Sequence, residues 1–241
     1  MINVSDRSSI LRKNIFETGI LKLASMVLSF LTVPIILNAI GQKSYGIWLT
    51  LSAIFTWINY FDIGLGSGLR NKFAESKAIG NLEKTKHYVS TSYVVVGMIS
   101  LGFIIILFLI NPFLKWNSIL NTTDISGGEL NTIIMIIFPL FCFQFFLRLI
   151  SSILIGDQKS STDQLLTFLT SAGIIISILL IQYFNSIIDL LAISVIFSGL
   201  PVLVMLGATI YFFSSIYKNV RPSFCFVRMQ YFNVIGSLGF K

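Results

Sequence analysis

Polar side chains recur at helical spacing in a part of the chain that is otherwise apolar. They are Asn14, Thr18, Lys22, Ser25, Ser29 and Thr32. At 3.6 residues per turn they fall on one side of a helix, within an arc of roughly 80°. Lipid does not tolerate such a face, so these six residues, the first-span stripe, are candidates for the wall of a water-filled cavity. The alternative is a packing surface, because small hydroxyl residues also mediate helix contacts in membranes.

A second polar face lies farther along the chain. Gln144, Arg148 and Ser151 follow one another at i, i+4 and i+7, and therefore share one side of a helix. An arginine at membrane depth is costly unless it is paired or hydrated, which makes Gln144 and Arg148 candidates for the same cavity. The alternative is that Arg148 anchors its helix at the membrane interface.

A glycine-rich segment contains Asp62, Gly64, Gly66, Gly68 and Arg70. A dinucleotide-binding loop would need one more glycine at its end and a soluble strand before it, and both are missing. We therefore predict a structural turn between two helices, in which the aspartate caps a helix or pairs with the arginine.

Nothing in the sequence has the spacing of an active site. No nucleophile stands beside a base, and His, Cys and Asp do not recur at the spacing of metal ligands. We expect a protein that is not an enzyme and that has no catalytic residue, metal or cofactor.

The elements that carry these residues are predicted to be membrane-spanning helices. The chain is 55% hydrophobic and 11% charged, and its apolar runs reach the ~20 residues that cross a bilayer. Helices satisfy their own backbone in lipid, so the predicted fold class is an all-α membrane protein, a bundle of six transmembrane helices. The predicted spans are 15–40, 46–63, 88–110, 130–155, 165–183 and 187–213.

The remaining segments complete a prediction of domain organisation. Residues 1–14 form an N-terminal segment, 15–213 a six-helix lobe, 214–230 a basic linker, and 231–241 the truncated start of a seventh transmembrane helix. The last segment is apolar and resembles the first third of a span.

The distribution of the net charge of +7 predicts the orientation. Lys and Arg are concentrated in the N-terminal segment, the second and fourth loops and the linker, whereas the other side has only Lys43 and Lys115. Basic loops face the cytoplasm, so both termini are expected there. The same distribution argues against a nucleic-acid partner, because the charges lie in short loops between apolar segments.

Two segments resemble a known family. Residues 30–41 read Phe-Leu-Thr-Val-Pro-Ile-Ile-Leu-Asn-Ala-Ile-Gly, and Tyr-Gly-Ile-Trp follows at 45–48. They are similar to the first hairpin of bacterial polysaccharide-export flippases. Residues 61–72, Phe-Asp-Ile-Gly-Leu-Gly-Ser-Gly-Leu-Arg-Asn-Lys, are similar to a recurrent segment of Wzx-type O-antigen flippases. Both belong to the multidrug/oligosaccharidyl-lipid/polysaccharide exporter superfamily, and the resemblance covers the N-terminal half of such a protein.

The resemblance implies a multi-pass protein of the bacterial inner membrane that moves undecaprenyl-diphosphate-linked oligosaccharide for O-antigen or another surface polysaccharide. The family has two lobes with the substrate cavity between them. The expected partners are therefore the lipid-linked oligosaccharide, the lipid bilayer, a C-terminal lobe or a second copy, and polysaccharide polymerase machinery. The first-span stripe, Gln144 and Arg148 suit an anionic, hydroxylated headgroup, and Glu17 is the candidate for coupling to an ion.

Two other functions compete with this interpretation. A membrane-embedded transferase acting on polyprenyl-linked sugars would show acidic or His residues clustered beside the membrane, and the acidic residues of the predicted outer loops are scattered. Another carrier of the superfamily, such as a drug exporter, is disfavoured by the cationic residues within the spans.

Overall fold

The computed structural model of the chain is helical along nearly all of the residues that it describes, which are 4–57, 64–122, 125–184 and 188–236. The α-helices are α1 (Val4–Thr56), α2 (Leu65–Ala78), α3 (Leu82–Ile110), α4 (Trp116–Ile119), α5 (Gly127–Leu147), α6 (Leu149–Gly156), α7 (Ser160–Phe184), α8 (Leu190–Ser214) and α9 (Met229–Gly236). This confirms the predicted all-α fold class for the described part of the chain.

Five helical stretches are long and apolar enough to cross a membrane. They are Arg12–Thr56, Leu82–Phe113, Gly127–Gly156, Ser160–Phe184 and Leu190–Ser214. The last four match the last four predicted spans. The first joins the predicted spans 15–40 and 46–63, so the described residues show five such stretches where the sequence predicted six.

A single residue interrupts α1. Gly41 has φ 75° and ψ 166°, a non-helical conformation that glycine adopts without the steric cost of a side chain. A straight helix as long as Arg12–Thr56 would measure roughly 68 Å, more than twice the hydrocarbon thickness of a bilayer. The polar segment after Gly41 thus breaks the helix at one residue instead of forming a loop, and the sixth crossing stays a prediction that depends on this break.

The fourth predicted span is also divided. α5 ends at Leu147 and α6 begins at Leu149, with Arg148 between them. The Arg148 N–H still donates to the Gln144 carbonyl at 2.9 Å, so the chain continues in nearly the same direction. The junction places an arginine where two helices meet.

Two apolar clusters hold the helices together. One contains Phe73 of α2, Val96 of α3 and Ile150 of α6. The other lies around Trp48 and Phe55 of α1, which pack on the rings of α8 and α5. Aromatic pairs of this kind add stability beyond the area that they bury.

Several basic loops meet at one end of the bundle. Lys77 of α2 and Lys159, just before α7, both bind the carboxylate of Asp157. Lys86 of α3 lies 4.0 Å from the ring centroid of Phe226, in the segment after α8. We call this the basic end.

An amide network lies at the opposite end. Asn111, after α3, accepts a hydrogen bond from Trp116 Nε1 at 2.9 Å and donates one to Asn131 Oδ1 of α5 at 2.7 Å. Since Asn111 and Trp116 are buried, these bonds satisfy groups that would otherwise be costly. They fix the connection between α3 and α5.

The glycine-rich segment differs in part from the turn expected of it. Gly64 has φ 71° and precedes α2, so it occupies a turn. Gly66 and Gly68 instead lie inside α2 and are buried. A Cβ on Gly68 would lie 2.1 Å from the Ile235 carbonyl oxygen, so this glycine permits close packing of α2 on α9. The predicted partner Asp62 lies outside the described residues.

Candidate functional site: a polar cavity between helices

A cavity of about 580 Å³ is lined mainly by α2, α5, α6, α7 and α8, with single residues from α1 and α3, and we call it the polar cavity. Its hydrophilic wall residues are Thr56, Ser67, Arg70, Gln144, Arg148, Ser151, Ser152, Asp163, Thr167, Thr170 and Ser171. Apolar residues such as Val96, Phe141 and Met205 complete the wall. A cavity lined by this many polar groups inside a bundle of apolar helices is hydrated, because lipid cannot satisfy them.

Two arginines give the polar cavity its positive charge. Arg148 stands at the junction of α5 and α6, and Gln144 lies one helical turn before it on the same wall. Arg70 comes from α2, a different element, and its side chain is exposed. The structure therefore places the predicted pair Gln144 and Arg148 beside an arginine that the sequence assigned to a structural turn.

The polar face of α7 was missed by the sequence analysis. Asp163, Thr167, Thr170 and Ser171 are spaced i, i+4, i+7 and i+8, so one side of α7 carries them all to the cavity. The signal was present in the sequence, but hydroxyl residues inside an apolar run do not by themselves distinguish a cavity from a packing surface.

The α7 hydroxyl groups donate within their own helix. Thr167, Thr170 and Ser171 donate to the carbonyls of Asp163, Leu166 and Thr167 at 3.3, 2.9 and 3.1 Å. Their oxygen lone pairs therefore remain as acceptors. The wall as a whole combines cationic donors from α2 and α5 with acceptors from α7.

The first-span stripe lies against α7 on another side. Asn14 donates to the Gln158 carbonyl at 3.2 Å, and Ser25 accepts from Gln164 Nε2 at 3.3 Å. Ser25 and Thr32 are buried. These contacts correspond to the packing alternative for this part of the stripe.

None of the six stripe residues is among those that line the polar cavity. Thr18 and Ser29 donate to the carbonyls of Asn14 and Ser25 in their own helix, and Lys22 is exposed. A substrate-binding role for the stripe stays a prediction.

The coupling candidate Glu17 lies in a shallow groove between α1 and α7, together with Leu21, Ser161 and Thr162. Its carboxylate is 3.8 Å from Lys13 Nζ, one turn away. Both side chains are largely exposed, so this ion pair contributes little to stability. Its role in coupling stays a prediction.

A buried carboxylate holds the basic end together below the cavity wall. Asp157 accepts from Lys77, from Lys159 at 2.9 Å and from the Tyr217 hydroxyl at 2.8 Å. Burial by itself raises the pKa of Asp157, but the hydrogen bonds from these three partners outweigh it, and the pKa is lowered. Burial and the bond to the carboxylate raise the pKa of Tyr217.

No local pattern in the sequence indicates this cluster. Its members are far apart in the chain, and Tyr217 and Asp157 are separated by 60 residues. The lysine ammonium groups also lie over aromatic rings, Lys159 at 5.1 Å from the Tyr217 centroid. Through these contacts, α2, the α6–α7 junction and the segment after α8 are held at fixed positions around the cavity.

The described residues bring together no group of three or more His, Cys, Asp or Glu that would hold a metal ion. Cys142 is buried and Cys225 exposed, and both are free thiols.

Comparisons with known proteins agree with the resemblance seen in the sequence. The sequence profile of the family described as "Polysaccharide biosynthesis protein" matches residues 11–241. The "Putative O-antigen export protein" of Yersinia pseudotuberculosis is 23% identical over 94 residues, which cover 39% of this chain and 21% of that protein.

A solved structure has the same fold. It is the outward-facing conformation of a multidrug resistance MATE family transporter of the MOP superfamily, with a TM-score of 0.70 and 14% sequence identity. The match covers 93% of this chain and 50% of that transporter. The chain therefore spans half the length of the transporter whose fold it shares.

Proposed function

This chain belongs to the polysaccharide biosynthesis protein family, and we propose that it is a flippase, or the N-terminal lobe of one, for undecaprenyl-diphosphate-linked oligosaccharide. The product would serve O-antigen or another surface polysaccharide. The family match, the O-antigen export relative and the transporter fold support a membrane transporter of this pathway. The proposal of a lipid-linked substrate is based on the residues that line the polar cavity.

The pair of arginines in the polar cavity is the main support for a diphosphate-linked substrate. Arg70 and Arg148 both line this cavity, together with Gln144. A guanidinium binds a phosphate oxygen pair with two parallel hydrogen bonds, and two of them suit a diphosphate.

The α7 wall suits the sugar part of the same headgroup. Sugar hydroxyls are hydrogen-bond donors, and the wall offers the Asp163 carboxylate and hydroxyl oxygens whose protons are already donated elsewhere. A headgroup with both phosphates and sugars would therefore find donors and acceptors on facing helices.

The basic end supports a cytoplasmic orientation for the loops that form it. Lysines from α2, the α6–α7 junction and α3 meet there, and basic loops are retained in the cytoplasm. We accordingly propose that this end faces the cytoplasm in the bacterial inner membrane, with both termini on that side.

The wall described here is one side of a larger chamber in this proposal. The chain matches half of a transporter with the same fold. The facing wall would come from a C-terminal lobe or a second copy, and the bilayer and the polymerase machinery would be further partners.

A transporter of other cargo is the second candidate. It is favoured by the fold match to a multidrug transporter. The two arginines count against cationic drugs as cargo, because like charges repel each other.

A complementation assay tests the proposed substrate. The chain is expressed together with a C-terminal lobe from a full-length relative in a strain that lacks its O-antigen flippase, and surface polysaccharide is measured. Arg148→Gln should lower polysaccharide export by about tenfold or more, because a charge-assisted contact contributes ~1.5–3 kcal/mol, and Arg148→Lys should restore part of it.

Arg228→Gln is the matched control, because Arg228 is an exposed arginine outside the cavity. Export should be unchanged in this variant. If the Arg148→Gln variant exported polysaccharide at the wild-type level, Arg148 would have no role in substrate binding.

A further inference from the structure

A second concave region lies on another face of the bundle, between α3 and α8. Its volume is about 660 Å³, and its wall includes Met98 and Leu101 of α3, Phe146 of α5 and Ile210 of α8. It shares no wall residue with the polar cavity. We call it the apolar groove.

The apolar groove has one polar end. Ser90, Ser214, Arg221 and Ser223 lie among its wall residues at the basic end of the bundle. From Ser90 to Leu101 the groove follows α3 for roughly 16 Å at 1.5 Å per residue. That is about half of the ~30 Å hydrocarbon thickness. The groove thus has the length and the polarity gradient of one lipid leaflet.

The segment that closes the polar end is fixed in place. The Ser223 N–H donates to Ser90 Oγ at 3.1 Å, and the Arg221 N–H to the Lys218 carbonyl at 3.4 Å. The Arg221 side chain is exposed. In the described part of the chain no carboxylate forms a salt bridge with it, so its charge is available to a ligand.

Phe224 next to this end is 87% exposed. Phe224 and Arg221 follow the end of α8 at Ser214, so this apolar ring and its basic neighbour lie where the chain leaves a helix of membrane-spanning length. Arg221 is therefore at the depth of lipid headgroups, and the rest of the groove is at the depth of acyl chains.

We infer that the apolar groove binds one anionic phospholipid, with its phosphate on Arg221 and an acyl chain along α3. The concave wall contacts the chain from α3, α5 and α8, which a lipid on a flat helix surface would lack. The guanidinium selects a net negative headgroup over a zwitterionic one. This site does not depend on the proposed substrate of the polar cavity.

Native mass spectrometry of the purified chain tests this site. Palmitoyl-oleoyl phosphatidylglycerol is added to the protein in detergent, with palmitoyl-oleoyl phosphatidylcholine in a parallel series. We expect one phosphatidylglycerol to be retained, and Arg221→Gln to lower its affinity about tenfold, the loss typical of one charge-assisted contact. Arg228→Gln, an equal change of charge seven residues away and outside the groove, should have no effect.

A steric pair of variants tests the acyl-chain part. Gly97 lines the groove, and its Cβ position is 3.4 Å from the Phe146 ring, so Gly97→Leu should fill the groove and abolish retention. Gly102→Leu is the control, because no atom lies within 4 Å of that position on the same helix. Circular dichroism of each variant confirms that it is folded. At the polar end, Arg221→Lys should retain most of the affinity for phosphatidylglycerol that Arg221→Gln loses.

Several outcomes would overturn the inference. Equal retention of phosphatidylcholine and phosphatidylglycerol would remove the role of Arg221. Retention by Gly97→Leu at the wild-type level would place the lipid elsewhere. A dimer without bound lipid would also contradict the inference. If Gly97→Leu then converted this dimer to monomers, a second copy of the chain would occupy the groove.

Discussion

The polar cavity and the apolar groove have similar volumes, about 580 and 660 Å³, and opposite chemistry. The cavity lies between helices of the bundle and presents arginines, an aspartate and hydroxyl groups. The groove lies between α3 and α8 and presents methyl and aromatic groups, with one arginine at its end. In a bilayer, the chemistry of the wall determines what binds there. We expect water and a polar headgroup in the polar cavity and an acyl chain in the apolar groove.

Accessibility to a water-soluble thiol reagent should separate the two regions most clearly. After replacement of Cys142 and Cys225, cysteines at Thr167 and Ser171 in the polar cavity should react at least tenfold faster than cysteines at Met98 and Leu101 in the apolar groove. A thiolate forms in water and not in lipid. The measurement is the initial labelling rate in membranes.

Both groove positions are exposed on the protein itself, Met98 at 51% and Leu101 at 60%. In detergent at low lipid content their labelling should therefore rise toward that of the cavity. Equal rates in intact membranes would mean that the two regions do not differ in hydration.

Asp157→Asn should loosen the cavity side of the molecule. The change leaves Lys77 and Lys159 without their buried partner, and we expect a loss of about 1–3 kcal/mol in the free energy of unfolding. Thermal unfolding in detergent measures it. Glu75→Gln is the control, because its ion pair with Lys72 lies at the surface and should matter little.

The stabilisation by Asp157 should depend on pH in a defined direction. Its pKa is lowered in the folded protein, so its contribution is complete above the unfolded value of about 4 and is lost as the pH falls through the folded value. The difference between wild type and Asp157→Asn should therefore shrink on acidification. A difference that grew at low pH would contradict the ionised state of this carboxylate.

The smallest effect concerns the first-span stripe. Ser25 is 6% exposed and receives a hydrogen bond from Gln164, so Ser25→Leu should overpack the contact with α7 and cost about 1–3 kcal/mol. Ser29→Leu, at an exposed position one turn away, should change stability by less than about 0.5 kcal/mol. Equal tolerance of both changes would mean that the stripe does not pack on α7.

The sequence singled out two polar residues of the cavity wall for a physical reason. Gln144 and Arg148 are costly in lipid, so their presence inside an apolar run makes them candidates for a functional site without any knowledge of the fold. The hydroxyl residues of α7 carry no such penalty, since each can donate to its own helix. For the same reason, the hydroxyl residues of the first-span stripe fitted both a cavity wall and a packing surface. Only the structure showed the contacts of the stripe with α7.

Composition and the lengths of the apolar runs determined that this chain is a helical membrane protein, because runs of about 20 apolar residues cross a bilayer as helices that satisfy their own backbone hydrogen bonds. Only the tertiary structure decided which polar groups share a space. Arg70 and Arg148 line the same cavity although they come from different helices, and Asp157 meets Tyr217 across 60 residues. Helical spacing relates residues within one helix, whereas the positions of helices relative to one another depend on packing that no local pattern specifies.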